Sequence, residues 1–240
     1  MDKDRMENLK AFEQIFGYTF KNRVLLDTAL IHRSFINENQ SDPREDNERM
    51  EFLGDAVLEL CVSDLLMKRF ANHDEGQLSR MRASLVNELS LARLAANFRV
   101  GDFLLLGKGE ESSGGRLKTS ILSNTFEALV AAVYLDCGFD ETFSFLAGVF
   151  QPLVEASEKD PTFRDYKTSL QGLCQNLFKT VPRYQLMNEY GPDHDKLFQV
   201  RVSISDTLAE WGIGKSKKEA EQQAARKALE ALKEPSGEEP

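Results

Sequence analysis

Long apolar runs, histidine clusters and closely spaced cysteines are all missing from this 240-residue chain, and each absence removes a class of protein. No stretch approaches the roughly 18 uncharged apolar residues of a membrane span. The N-terminal MDKDRMENLKAFEQIFGY carries charge throughout and has no apolar signal core. A cytoplasmic protein with no membrane anchor is expected. The cysteines, Cys61, Cys137 and Cys174, are odd in number, far apart and set among apolar residues. They read as reduced core thiols, against a disulfide framework or a zinc knuckle. His32, in ALIHRSF, has no His or Cys at metal-ligand spacing and reads as a packing residue. A surplus of positive charge is absent too: 39 Asp and Glu against 30 Lys and Arg give −9, which argues against the whole chain wrapping nucleic acid or anionic membrane. In GKGEESSGG, Lys108 is followed by Gly109 where a Walker A loop needs Ser or Thr, so no nucleotide cofactor is expected.

What is present suffices for a core. At 41% hydrophobic residues, the chain has room for one large domain or two ordinary ones. The charge is divided unevenly: residues 163–234 hold 12 Lys and Arg against 10 Asp and Glu, a surplus of +2 that leaves −11 for the rest. Periodicity divides the chain in the same way. From Glu7 to about Leu153 apolar residues recur at three- and four-residue spacing, the pattern of an all-α domain, here residues 1–154. Helices are predicted at 6–16, 22–31, 47–68, 75–87, 90–98, 120–135 and 140–151. The stretches 37–46 and 107–118 read as loops, the second too glycine-rich to pack. The charged EASEKDPT, residues 155–162, reads as a linker. Residues 163–233 change period: a helix at 165–178, strands at 184–190, 197–205 and 208–214, and a helix at 216–232. This αβββα order makes an α+β domain with both helices on one side of an antiparallel sheet. Residues 234–240, EPSGEEP, read as a disordered tail.

Two helices carry candidate chemistry. In NERMEFLGDAVLEL, Glu48, Glu51 and Asp55 stand at i, i+3 and i+7, on one face of a 3.6-residue period, with Leu53, Val57 and Leu60 opposite. Taken alone, this describes a solvated acidic face as well as a site. SILSNTFEALVAAVYL is apolar nearly all round except Asn124 and Glu127, and an all-round apolar helix is buried. A carboxylate inside it is costly to ionise unless paired or bound to metal, and the run has no Lys or Arg. Oxygen-only donors on two helices suit Mg²⁺, with Mn²⁺ as a substitute, and point to metal-assisted phosphoryl chemistry. Glu75 begins a further helix, where a capping role competes with a functional one. In the second domain, Lys215, Ser216, Lys217 and Lys218 crowd a helix start, where lysines oppose the macrodipole and are better explained by phosphate. Thr168, Gln171 and His194 add polar groups able to reach a sugar edge.

At these residues the sequence resembles bacterial ribonuclease III along essentially its whole length. NERMEFLGDAVLEL looks like the family signature, with HRSF, EGQLSRMRASLVN, LGKGEESSGGRLK and SILSNTFEALVAAVYLD in the expected order. DYKTSLQGLCQ through GKSKKEAEQQAARKAL is similar to a double-stranded RNA-binding domain. The resemblance implies a homodimeric, Mg²⁺-dependent endoribonuclease that cuts each strand of a double-stranded RNA. Its products would carry 5′-phosphates, 3′-hydroxyls and short 3′ overhangs, and its substrates would include ribosomal RNA precursors. Carried over by motif position, Glu51, Asp55 and Glu127 are implied metal-binding and catalytic residues, and Glu48 and Glu75 supporting acids. Thr168, Gln171, His194, Lys217 and Lys218 match RNA-contacting positions, and Phe52 a dimer contact. Two positions depart from the family. Asn124 stands where Asp is usual, which keeps an oxygen donor but removes a charge. Gly172 stands where Glu usually follows the Gln, which removes an acceptor for a ribose hydroxyl and weakens the helix. Asn124 also motivates a second reading, a double-stranded RNA-binding regulator impaired in cleavage.

Overall fold

A computed structural model describes residues 2–159, 165–192, 196–204 and 208–233. The chain divides into two compact units, Met1–Asp160 and Pro161–Pro240. The first is helical. Its elements are α1 (Lys3–Phe16), α2 (Arg23–Ala29), α3 (Arg33–Glu38), α4 (Glu48–Arg69), α5 (Glu75–Leu85), α6 (Glu88–Asn97), α7 (Val100–Phe103), α8 (Lys108–Ser112), a 3₁₀ turn at Gly115–Leu117, α9 (Thr119–Cys137) and α10 (Phe139–Lys159). Polar caps set many of the starts. Asp2 accepts from the Arg5 amide, so α1 begins earlier than its apolar pattern does. Asn22 and Asn87 cap α2 and α6 in the same way.

α9 is the central helix. From Ile121 to Val133 every residue is buried except Asn124 and Glu127, in keeping with its all-round apolar sequence. It packs against α2, α4 and α6. Its crossing with α4 is a backbone contact: a Cβ added to Gly54 would lie 1.8 Å from the Glu127 carbonyl oxygen. Only glycine permits that approach. The start of α4 is held by buried Asn47, whose side-chain amide donates to the Ala29 carbonyl and whose backbone N–H donates to the Ile31 carbonyl. Nearby, the buried Asp27 carboxylate accepts from Arg5 at 2.7 Å and from Arg44 at 3.3 Å, tying the 37–46 loop to α1 and α2.

Several expectations change. The glycine-rich 107–118 stretch does pack: it forms α8 and the 3₁₀ turn. Glu38 accepts from the Lys108 and Gly109 amides, Ser34 from the Gly107 amide, and Arg116 donates to the Gly101 and Leu104 carbonyls. The buried stripe of α4 runs through Met50, Gly54, Val57, Leu58, Cys61 and Val62, leaving Leu60 in solvent, because the stripe follows the line of contact with α9. The expected linker is helical as far as Lys159: Val154 is buried and the Ser157 hydroxyl donates to the Leu153 carbonyl, so α10 continues past Gln151. Cys61 and Cys174 are buried free thiols, but Cys137 is half-exposed at the end of α9.

The second unit holds α11 (Tyr166–Phe178), β1 (Arg183–Tyr190), β2 (Leu197–Ser203), β3 (Ala209–Gly214) and α12 (Lys217–Lys233). The strands form an antiparallel sheet in the order β1-β2-β3, with a bulge in β1 between Leu186 and Asn188. Val200, Val202 and Ile204 form one buried face as their alternation predicts, and Val202 and Ile204 pack with Leu170 and Cys174 of α11 and Ala224, Ala225 and Ala228 of α12. Gly212 and Gly214 lie against Ala220 of α12, where a side chain would collide with backbone. The αβββα order and the helical first domain are as expected.

Candidate active site

The Gly54 crossing decides which acids meet. Glu51 and Asp55 flank Gly54 on α4, and Asn124 and Glu127 form the only open positions of the buried part of α9. They are electrostatically joined. Burial, and then the charges of Asp55 and Glu51, push the Glu127 carboxyl up to about 7. Burial also raises Glu51; a hydrogen bond from the Asn124 side chain acts against that rise, and the charges of Glu48 and Asp55 add to it. The other end of the Asn124 amide accepts from the Ser123 hydroxyl at 3.3 Å. Glu48 lies on the rim of a pocket lined also by His32, Arg33, Asn47, Glu51 and Asn124. There Arg33 bonds both Glu48 oxygens, at 2.9 and 3.3 Å.

No Lys or Arg among the described residues is ion-paired with Glu51, Asp55 or Glu127. Nor do three His, Cys, Asp or Glu side chains among the described residues converge as a ready-made metal cage. The donor chemistry fits a hard divalent cation all the same: three uncompensated carboxylates and an amide, all oxygen donors, on two helices locked together by backbone contact.

Other anticipated residues are placed differently. Glu75 occupies the first turn of α5, accepts from the Ser79 hydroxyl at 2.8 Å, and does not contribute to the shifts at Glu51 or Glu127. It is not the cap either, because Asp74 forms a capping box with Gln77. His32 caps α3, its Nδ1 accepting from the Ser34 amide, and its burial lowers its pKa. Phe52, next to Glu51, is 81% exposed. Sequence reasoning passed over Gly54 and Asn47. The signal for Gly54 was there, a glycine inside a helical pattern between two acids, which marks a close backbone approach.

In the second unit Thr168 and Gln171 lie exposed on α11. The Thr168 hydroxyl donates to Asp165 at 2.7 Å, and a Cβ at Gly172 would meet nothing. The Ser216 hydroxyl accepts from the Glu219 amide and so caps α12, while the Lys215 amide donates to the Glu219 carboxylate. The Lys217 ammonium lies 3.3 Å from Glu189 and over the Phe198 ring. Lys218 is half-buried in the first turn of α12. His194 lies outside the described residues.

Comparison with known proteins matches both units of the chain to known families. The Ribonuclease-III-like family matches residues 22–152, and the double-stranded RNA binding motif matches residues 166–232. Ribonuclease 3 of Syntrophobacter fumaroxidans is 44% identical over 230 residues, covering 94% of this chain and 95% of that protein. Ribonuclease 3 of Carboxydothermus hydrogenoformans is 45% identical over 233 residues, covering 97% and 98%. The crystal structure of the nuclease domain of ribonuclease III from Campylobacter jejuni superposes with a TM-score of 0.55 at 41% identity, covering 63% of this chain and 96% of that one. With both matched segments in order and relatives aligned almost end to end, the chain belongs to the ribonuclease III family of endoribonucleases, a helical nuclease domain followed by a double-stranded RNA binding motif.

Proposed function

We propose that the protein hydrolyses double-stranded RNA as a cytoplasmic homodimer, using Mg²⁺ or Mn²⁺. It leaves 5′-phosphates, 3′-hydroxyls and short 3′ overhangs on ribosomal RNA precursors and other structured transcripts. The observation that carries this reading is the α4–α9 contact at Gly54, which sets Glu51 and Asp55 beside Asn124 and Glu127. Those four side chains would hold the cation, which when bound supplies Lewis-acid polarisation of water and charge stabilisation at the scissile phosphate. Glu51, Asp55 and Glu127 must be ionised to do so, and the raised Glu127 pKa makes cation binding compete with a proton near neutrality. Glu48, anchored by Arg33, and Glu75 supply further acidity around the duplex. Phe52 is exposed as a dimer contact would need to be in a single protomer. A solved Campylobacter jejuni relative is described as having a region involved in dimer formation in its nuclease domain. Thr168, Gln171, His194, Lys215, Ser216, Lys217 and Lys218 form the duplex-holding surface of the second domain, with Lys217 leaving Glu189 for a phosphate. Among the described residues no helix is long and apolar enough to cross a membrane.

The test is a long RNA duplex incubated with the protein in Mg²⁺ or in EDTA and resolved on a denaturing gel. Mg²⁺-dependent short fragments are expected, and intact duplex in Mg²⁺ sinks the reading. One observation favours the regulator as a second reading: the Asn124 amide hydrogen-bonds Glu51 where the family usually places a carboxylate. Asn124→Asp separates the two. It should lower the Mg²⁺ needed for half-maximal cleavage and weaken the fold in EDTA, because it replaces a hydrogen bond with a fourth negative charge. Coincident Mg²⁺ curves and unchanged melts would place Asn124 away from the cation. Cleavage seen only in the Asp variant would establish the regulator.

A further inference from the structure

The sheet of the second unit has two faces, and only one is covered. Pairing across the strands puts Arg183, Gln185, Asn188 and Tyr190 of β1, Gln199 and Arg201 of β2, and Trp211 and Ile213 of β3 on the face away from α11 and α12. The opposite face, with Val200, Val202, Gly212 and Gly214, meets the helices. On the open face Trp211 is 40% exposed and Tyr190 is 42% exposed, with Ile213 and Leu197 beside them in solvent. The Arg201 guanidinium sits 5.9 Å from the Trp211 ring centroid. Tyr190, Asn188 and Gln199 are joined by side-chain hydrogen bonds. The acids of these strands, Glu189 and Glu210, pair across to Phe198 and Val202 and so belong to the helix side.

In a chain of net charge −9, this face therefore carries two arginines, three carboxamides and two aromatic rings, and no carboxylate among the described residues of its strands. Apolar contact with a protein would leave the arginines and amides without partners. A membrane would ask for lysines and an apolar stripe in place of carboxamides. A single-stranded nucleic acid uses all three kinds of group: rings for base stacking, arginines for phosphate and cation–π contact, carboxamides for exposed base edges.

We infer that the outer face of the β1-β2-β3 sheet binds an unpaired RNA strand, with bases stacking on Trp211 and Tyr190 and the backbone tracking Arg183 and Arg201. The substrate class that follows is a duplex with a single-stranded flank or loop, gripped at both features. This goes beyond the cleavage reading and does not depend on it, since the test runs in EDTA where nothing is cut.

Trp211 is the sole tryptophan, so its emission reports on this face alone. The full-length protein in EDTA is titrated with an unstructured single-stranded RNA of about ten nucleotides, within the usual site size of a single-strand module. Saturable quenching of the tryptophan is expected, with affinity falling as salt rises. By anisotropy of the labelled strand, Trp211→Ala and the double variant Arg183→Gln/Arg201→Gln should each weaken binding about tenfold or more, the loss of one stacking contact or of two ionic ones. Trp211→Tyr should restore it, and affinity for a blunt RNA duplex should stay unchanged in all three. No quenching overturns the inference. So does quenching that the blunt duplex abolishes by competition, which would move the single strand to the duplex-holding surface. Emission that shifts with protein concentration and ignores the strand would assign the face to a second copy of the chain and overturn it equally.

Discussion

At the crossing of α4 and α9, Glu51 and Glu127 stand half-buried near Asp55 and Glu127 is pushed up to about 7, whereas at the start of α12 the exposed Lys217 finds Glu189 at 3.3 Å. The first arrangement is costly for the fold by itself, since like charges are held together without compensation. The second costs almost nothing, because exposed ion pairs contribute little in either direction. In the proposed reading, the site in the nuclease unit is an unfavourable feature that a cation would relieve. In the RNA-binding unit, function has to be read from which groups face solvent together.

The largest effect expected from this contrast lies at Glu127. Glu127→Gln should lower Mg²⁺-dependent cleavage about a thousandfold, the several kcal/mol that a metal ligand supplies. Its effect on stability should run the other way. The folded carboxyl titrates at about 7 against 4.5 in the reference state, so its ionisation weakens the fold progressively as pH rises between those values. Full linkage would be about 3 kcal/mol, and partial exposure reduces this to ~1 kcal/mol. Urea melts in EDTA should therefore coincide for the two proteins near pH 4 and favour the variant by ~1 kcal/mol at pH 8. Equal stability at both pH values would show that the carboxylates do not repel one another in the fold.

Gly54→Ala attacks the same contact sterically. Its Cβ would fall 1.8 Å from the Glu127 carbonyl oxygen, so the helices must separate, at a cost of about 3 kcal/mol in a chemical melt together with loss of cleavage. A melt within ~0.5 kcal/mol of the parent, inside the range of ordinary surface changes, would mean that the helices do not touch there. In the second unit, Lys217→Ala with Lys218→Ala should reduce duplex affinity about tenfold near physiological salt and flatten the salt dependence by roughly two charges, without moving the Tm beyond a degree or so. An identical salt slope would show that these lysines make no phosphate contact. Gly172→Ala gives the smallest effect. A Cβ there meets open space, so α11 should gain ~0.5–1 kcal/mol with cleavage unchanged, and a destabilised variant would show that the glycine is needed for the backbone.

Much of the fold was legible because the helices are long and periodic. α4 and α9 were placed within two residues at each end, and the two open positions in α9 were visible as the only polar interruptions of an apolar run. Short helices were not. α3, α7 and α8 span six, four and five residues, too few for a period to declare itself, and all three depend on distant partners such as Glu38 capping α8. α10 outran its predicted end because burial of Val154 outweighed the charged composition around it.

The sequence by itself determined the two-part organisation, the burial of α9, the acidic composition of the α4 face and the unequal division of charge. Each is a property of neighbours along the chain: a period, a composition or a spacing. Tertiary structure alone decided that Gly54 lies against the carbonyl of Glu127, that Asn124 reaches Glu51, and that Trp211, Tyr190 and Arg201 share an uncovered face. These are relations between residues tens of positions apart, set by which surfaces must pack to exclude water, and no local pattern encodes the distance at which two such surfaces come to rest.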